Sequence, residues 1–438
     1  MKKHILWILL ILCLSFTGCN AKASATTEIK TLTLAIFESE SQLSRSKLLQ
    51  WVNLYNESHS DVKIEIINYL DNYSDPFEAL NQIKIEISAG KGPDMVNFGN
   101  QYSPIDASSG MMADLYPLMQ NDESFERQDF YYNILRSFEV GDSLYVLVPS
   151  YRIDSYATAN NELLGLERMN IKQLVDAYNM LDDESILFPG ETKKAVFGMI
   201  CYGSLENYVD WAEGKCHFNS DSFKEILHFA NQFPLSLNMA NDYSAKAIFT
   251  EGRALLYPIF IDNVYGTTSI RMLYGETPAY IGYPLDSGSG NMAAIVDIAV
   301  GISSTSKNKE EAWGFLRSLL DSEFQDNTER GLPLRVSSLE QKLKDAMTEE
   351  FDSNGEKVVK EQLIFEGEDP ANIYEISNED VETLKAIISK IEFSTTVDSN
   401  LYSIMLEEAD YLFNDDRNVD DVADIIQNRA SVYINEKK

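Results

Sequence analysis

Histidine and cysteine are scarce, with four of each in 438 residues. Past the first twenty residues the histidines are His59, His217 and His228, each isolated. No HExxH helix can form from them, and no zinc-ligand spacing is present. Of the cysteines, Cys13 and Cys19 lie near the start, leaving only Cys201 and Cys216. No CxxC accompanies this pair. If oxidised, it would close a loop worth ~3 kcal/mol in the chain-entropy view; the alternative is two buried free thiols, and the sequence leaves both open. Positive charge is also short: 36 Lys and Arg face 69 Asp and Glu, for a net charge of −33. So acidic a chain repels phosphate backbones and anionic lipid, which argues against a nucleic-acid partner. It favours a neutral or cationic ligand over an anionic one. The GxSxG elbow and the Walker loop are missing, and three SxxK occurrences (Ser44–Lys47, Ser88–Lys91, Ser304–Lys307) lack the companion SDN and KTG motifs. No cofactor, metal or catalytic residue is expected. Nothing singles out a carboxylate pair for glycoside hydrolysis.

Long hydrophobic runs are absent too, apart from Ile5–Phe16, which only Ser15 interrupts. That run is short of the roughly 20 helical residues a bilayer requires. Lys2 and Lys3 precede it, and Phe16-Thr17-Gly18-Cys19 ends it on small residues, as an export signal does. The segment resembles a bacterial lipoprotein signal, with Gly18 just before the modified cysteine. The resemblance implies a signal peptide over 1–18, lipid on Cys19, and a tether through residue 30 whose Asn20–Thr27 stretch is small and polar. The chain would then sit on the outer face of the cell membrane, held there by the lipid.

Apolar residues make up 44 % of the chain, enough for a packed core. Leu32, Leu34 and Ile36 alternate as in a strand, and Leu48, Val52 and Tyr55 share a helix face. Val62, Ile64 and Ile66 alternate again, Leu80, Ile83 and Ile87 recur at helical spacing, and Met95–Phe98 is a short apolar strand. Strand, helix, strand, helix, strand predicts βαβ units. Further along, Tyr151–Thr158 and Ala293–Ile302 read as strands. The second of these carries a polar Asp297 that needs partners if buried. Helices are predicted around 125–138, 244–251 and 309–321, and over the C-terminal stretches 380–391, 401–413 and 419–435.

Six phrases then fall in a recognisable order: Ser88-Ala89-Gly90-Lys91-Gly92-Pro93-Asp94 after the opening strand–helix–strand, Met111–Leu118, Gly141–Pro149, Phe249–Leu256, Ile302–Leu316 and Gly331–Arg335. Together they resemble the extracellular solute-binding proteins of ABC importers, the group that includes maltose-binding and other sugar-binding proteins. The resemblance implies an α/β, two-lobed, periplasmic-binding-protein-like fold (type II). Each lobe would be a mainly parallel sheet flanked by helices, with the ligand cleft between them. Residues 31–148 and 287–335 would form lobe 1, and 149–286 with 336–438 lobe 2. Crossovers are implied near Val148–Ser150, Pro284–Asp286 and Leu334–Ser337. Its partners would be a small solute, a sugar or oligosaccharide, and an ABC permease in the membrane, with the protein a monomer. A sensor lipoprotein of the same fold is a second reading, and a surface glycoside hydrolase a third.

Open sheets bind ligands beyond the carboxyl ends of their strands. Candidate contacts are therefore Phe37, Glu38 and Glu40 after the first strand, Asn97, Asn100 and Tyr102 after the third, and Tyr151 and Arg152 at the first crossover. Trp211, near Tyr208, is the candidate for stacking on a sugar ring. Phe260, Asp262 and Asp297 complete the set. For Glu38 and Glu40 a capping role competes, for Arg152 an interlobe ion pair, and for Asp297 a structural hydrogen bond.

Overall fold

The computed structural model describes residues 29–437 except 161, 162, 164–168, 183, 184, 212, 238–247, 250, 285–289, 365–368 and 396. The signal, Cys19 and the tether up to residue 28 lie outside the described residues, as does most of the helix expected over 244–251; Lys30, expected in the tether, already begins the first strand. Ten strands carry the two larger sheets: β1 (Lys30–Ile36), β2 (Val62–Asn68), β3 (Met95–Asn97), β4 (Ser150–Thr158), β5 (Tyr257–Ile261), β6 (Ala279–Tyr280), β7 (Asn291–Ile295), β8 (Val300–Ile302), β9 (Leu332–Pro333) and β10 (Ile391–Ser394).

The first sheet runs β8-β3-β1-β2. Strands β2 and β3 both lie parallel to β1, with Leu34 level with Ile66 and Met95; only β8 is antiparallel. The connecting helices explain the parallel order. Ser46 accepts from the backbone of Leu49 and starts the helix Lys47–Ser58, whose Leu48, Val52 and Tyr55 are buried. Asp75 caps the helix Pro76–Ser88, with Pro76 in its first turn. That helix buries Ala79, Leu80, Ile83 and Ile87 and gives way to Gly90 in the left-handed region. Trp51 and Trp313 belong to this core; their indole N–H groups donate to Ser318 and Asp122.

The second sheet is built around β4, which lies antiparallel to β5, β6, β7 and β9; only β7 and β10 are parallel. The expectation of mainly parallel sheets therefore holds for the first lobe and not for the second. Helices cover both faces of β4: Tyr151, Ile153 and Ala157 enter one core, and Tyr156 enters the other. Although buried on both sides, this strand places Arg152 and Asp154 on the face opposite Tyr151 and Ile153.

The run Ala293–Ile302, expected as one strand, is two. Residues up to Ile295 pair in the second sheet, and from Val300 the chain pairs with β3 in the first. The second crossover is thus 296–299 rather than Pro284–Asp286, which moves the proposed lobe boundary downstream of 287. Both flanking strands are buried, so the sequence looks uninterrupted; Asp297 was the visible mark of the break. The first change of sheet falls between Leu147, which exchanges backbone bonds with Val300, and Ser150. The third falls at 327–331, because Leu332 already pairs with Tyr151. That is earlier than the implied Leu334–Ser337.

Cys201 and Cys216 are free and buried, which decides between the two open readings. Burial pushes the Cys201 thiol up, and the Cys216 Sγ lies 3.3 Å from the Ser431 hydroxyl.

On the far side of the second sheet, Asp380 takes both arms of Arg271 at 2.9 Å and also the Ser377 backbone at 3.0 Å. Burial alone would raise its pKa, but these donors hold it down at about 2, against an ordinary 3.8. A depressed carboxylate contributes its full stabilisation above the unfolded value and loses it as pH falls through the folded one. Asp380→Asn is expected to cost about 2 kcal/mol at pH 7 and much less near pH 2. Thermal melts of both proteins across that range check it; a gap that does not close on acidification would contradict the assignment.

Candidate functional site

The three crossovers meet at one place. Gly331 sits at φ +83°, and a Cβ there would approach Val296 Cγ2 to 2.9 Å and the Tyr151 carbonyl to 3.1 Å. One residue from each of the other crossing segments therefore packs on it, and a side chain at 331 would separate them. This junction forms the floor of the site, and each sheet supplies a wall.

The first wall is made by the loops after β1, β2 and β3. Asn68 fastens two of them: its amide oxygen accepts from the Glu38 backbone at 3.2 Å and its amide nitrogen donates to the Glu38 carbonyl at 2.9 Å. Glu38 is thereby held half-buried. Its Oε1 accepts from Ser46 at 2.9 Å, while its Oε2 is buried with no hydrogen-bond partner among the described residues. Burial raises its pKa, the Ser46 bond opposes this, and the charge of Asp297 adds to the rise. Asn97 ties the third loop to the second crossover, accepting from Ala299 and Gly99 and donating to the Asp297 carbonyl. The Asp297 carboxylate is exposed and takes Arg330 at 3.0 Å.

The second wall rises from β4. Arg152, Asp154 and Tyr156 alternate onto one face of the strand. Arg152 donates through Nε to Asp154 Oδ1 at 2.6 Å and through Nη2 to Oδ2 at 3.0 Å. Asp154 is 0 % exposed; burial raises its pKa and Arg152 pulls it back. The guanidinium also lies 4.9 Å from the ring centroid of Phe260, which is 56 % exposed. Beyond the pair stand tyrosines: the Tyr156 ring meets Tyr283 edge-on at 4.7 Å, and Tyr202 lies 6.2 Å from Tyr283. Gly203 makes room for them, since a Cβ there would fall 2.1 Å from Tyr283 Cδ1.

At one end the walls touch. Ser103, beyond β3, donates to Asp398 at 2.8 Å, and Asp398 also receives the Tyr433 hydroxyl at 2.9 Å. Asp106 bonds Lys84 and lies 3.6 Å from Lys437. A cavity of about 170 Å³ opens here, lined by Lys84, Asn100, Tyr102, Ser103 and Asp398 among others. A larger one of about 420 Å³ lies behind the third crossover, lined by Tyr265, Gly331, Lys342 and Glu350 among others.

The structure thus brings together Glu38, Asn97 and Asp297 on one wall and Arg152 and Phe260 on the other. Phe37 is half-buried against Tyr69, and Glu40 is exposed at the start of a short helix. Asn100 is exposed on the rim of the smaller cavity, while Tyr102 is buried edge-on against Phe98. Three expectations are corrected. Tyr151 points to the opposite face of β4 from Arg152 and is wholly buried. Tyr208 packs on Phe218 and Phe223, and Trp211 is 5 % exposed in the same core, so neither offers a ring face to a ligand. The polar neighbours of Trp211 suggested a surface, but a two-stranded turn folds it inward. Asp262 is exposed beside Asn263, which also reaches Glu361. Asp154, Tyr202, Tyr283, Asn68 and Arg330 were missed. Of these, only Asp154 carried a signal, standing two residues from Arg152 on a strand.

The profile of the bacterial extracellular solute-binding protein family matches residues 40–326. Similar solved structures include an ABC transporter solute binding protein from Thermotoga lettingae bound with α-D-tagatose. It is 14 % identical with a TM-score of 0.50, covering 92 % of this chain and 100 % of its own. The sugar-binding protein MalE from Xanthomonas citri is 12 % identical with a TM-score of 0.53, covering 93 % and 98 %. A periplasmic oligogalacturonide binding protein from Yersinia enterocolitica is 12 % identical with a TM-score of 0.55, covering 93 % and 99 %. At such identities the likeness is one of fold. Comparison of the sequence with curated proteins finds no match.

Proposed function

Because the chain belongs to the bacterial extracellular solute-binding protein family, we propose that it captures a small carbohydrate between its lobes and delivers it to an ABC importer. The observation that carries this reading is the pair of polar clusters set beside the crossovers, one on each sheet. Glu38 Oε2 is a buried acceptor without a donor among the described residues, and just beyond the first crossover β4 carries the guanidinium of Arg152 beside the exposed ring of Phe260 and near the hydroxyls of Tyr202 and Tyr283. Aromatic faces and convergent donors and acceptors suit a ring carrying several hydroxyls. Three short crossovers packed on Gly331 are a hinge about which the lobes would close, and the importer would read the closed form. Family and fold are those of binding proteins.

We place the protein at the outer face of the cell membrane, held by a lipid on Cys19. Among the described residues no helix is long and apolar enough to cross a membrane. Cys19→Ala is expected to release the protein from the membrane fraction; a variant still pelleting with membranes would contradict the anchor.

The ligand reading is tested by melting the chain from residue 25 onward with a panel of mono- and oligosaccharides, dipeptides and amines. A solute at a hundredfold excess over its Kd adds about 2.7 kcal/mol, a shift of a few degrees. Saccharides are expected to give it. A shift from dipeptides or amines with none from any sugar would refute the carbohydrate assignment.

A further inference from the structure

We infer that the Arg152–Asp154 pair, stacked on Phe260, sets the charge class of the ligand: the cleft takes an uncharged, hydroxyl-bearing solute and disfavours one that carries a carboxylate. The inference rests on the carbohydrate reading and sharpens it. A guanidinium carries five N–H groups. Two of those on Arg152 are engaged by Asp154, at 2.6 and 3.0 Å, and three remain. The side chain is a third exposed and lies two residues beyond the first crossover, so a remaining donor is open to a solute bound beside that crossover. Their positive charge, however, is already matched. Asp154 is fully buried on the strand, where water cannot screen its charge from the guanidinium. The second wall therefore presents donors with no net charge.

The first wall leans the other way. Glu38 offers a buried oxygen with no donor, and the exposed carboxylate of Asp297 has its cation in Arg330. A ligand hydroxyl satisfies both walls, accepting from Arg152 and donating to Glu38. A ligand carboxylate can only accept. It would face Glu38 with the charges of Arg152 and Arg330 already matched by Asp154 and Asp297, and a buried unmatched charge is disfavoured.

Calorimetric titration of the protein with matched pairs tests this: glucose with glucuronate, galactose with galacturonate, and α-1,4-linked galactotriose with trigalacturonate. The neutral partner of whichever pair binds is expected to bind at least tenfold more tightly. Asp154→Asn, which frees the charge of Arg152, and Glu38→Gln, which removes the opposing one, should each narrow that ratio several-fold. Uronates binding as tightly as their neutral partners to the unaltered protein would overturn the inference and leave the carbohydrate reading standing. So would a ratio unmoved in both variants. Silence from both partners of every pair would overturn the two together.

Discussion

Replacing Arg152 with alanine is expected to cost the fold about 3–5 kcal/mol at pH 7 and far less near pH 4. The loss comes from what is left behind. Asp154 is fully buried, and both of its oxygens bond Arg152. Without the guanidinium, burial still pushes the carboxyl's pKa up and the opposing pull is gone. The other titratable groups facing it are Tyr156, Tyr202 and Tyr283, whose hydroxyls are pushed up by burial and by the charge of Asp154 itself. They stay neutral and supply no counter-charge. A carboxyl whose folded pKa is raised carries no penalty below its unfolded value, and stability is lost as pH rises from there through the folded value. The difference in melting temperature between Arg152→Ala and the parent should therefore widen from pH 4 to pH 7. Adding Asp154→Ala to the variant should recover most of the loss, since removing both members of a buried pair is far milder than removing one. A penalty equal at both pH values would mean that Asp154 is not its source.

The part of this arrangement legible in the sequence follows from period and position. Strand alternation located β1 and β2, an extended run located β4, and the rule that ligands gather beyond strand ends pointed to Glu38, Asn97 and Arg152. Alternation also held a reading that went unused: Arg152 and Asp154, two apart on a strand, must share a face, so the pair could have been inferred. What the sequence concealed was long-range. Tyr202 ends one helix and Tyr283 follows β6, and nothing local marks either as a neighbour of Arg152; the close approach at Gly203 is visible only in three dimensions. The same limit explains the misplaced crossovers. Residues 293–302 read as one apolar strand because each half is buried in a different sheet, and burial has the same signature in both. Trp211 failed for the converse reason, since acidic neighbours in sequence say little about a side chain that a tight turn folds under a helix layer.

That dependence on distant partners is sharpest at Asp398, which no local pattern marks. Its Oδ1 caps the helix Ser399–Phe413 by accepting from Leu401 at 2.9 Å, and its Oδ2 receives Ser103 from the first lobe and Tyr433 from the second. The carboxylate is 3 % exposed, so Asp398→Ala loses a cap and strands two donors in a buried place. About 3 kcal/mol of destabilisation is expected, the cap accounting for ~1 of it. Ser103→Ala separates the two roles. It removes only the bond between lobes and leaves the cap and Tyr433 in place, at a cost of about 1 kcal/mol. Ile105, on the same segment, is buried in the second core, so the contact is a packed one that the serine helps to seat. If the Ser103–Asp398 bond holds the lobes together, Ser103→Ala should enlarge the radius of gyration of the ligand-free protein in small-angle scattering. It should also raise the ligand off-rate, with the melting temperature only slightly lowered. Unchanged scattering with an unchanged off-rate would leave Asp398 with structural roles within its own lobe, as a helix cap and the acceptor of Tyr433, and move control of closure to the proposed hinge at Gly331.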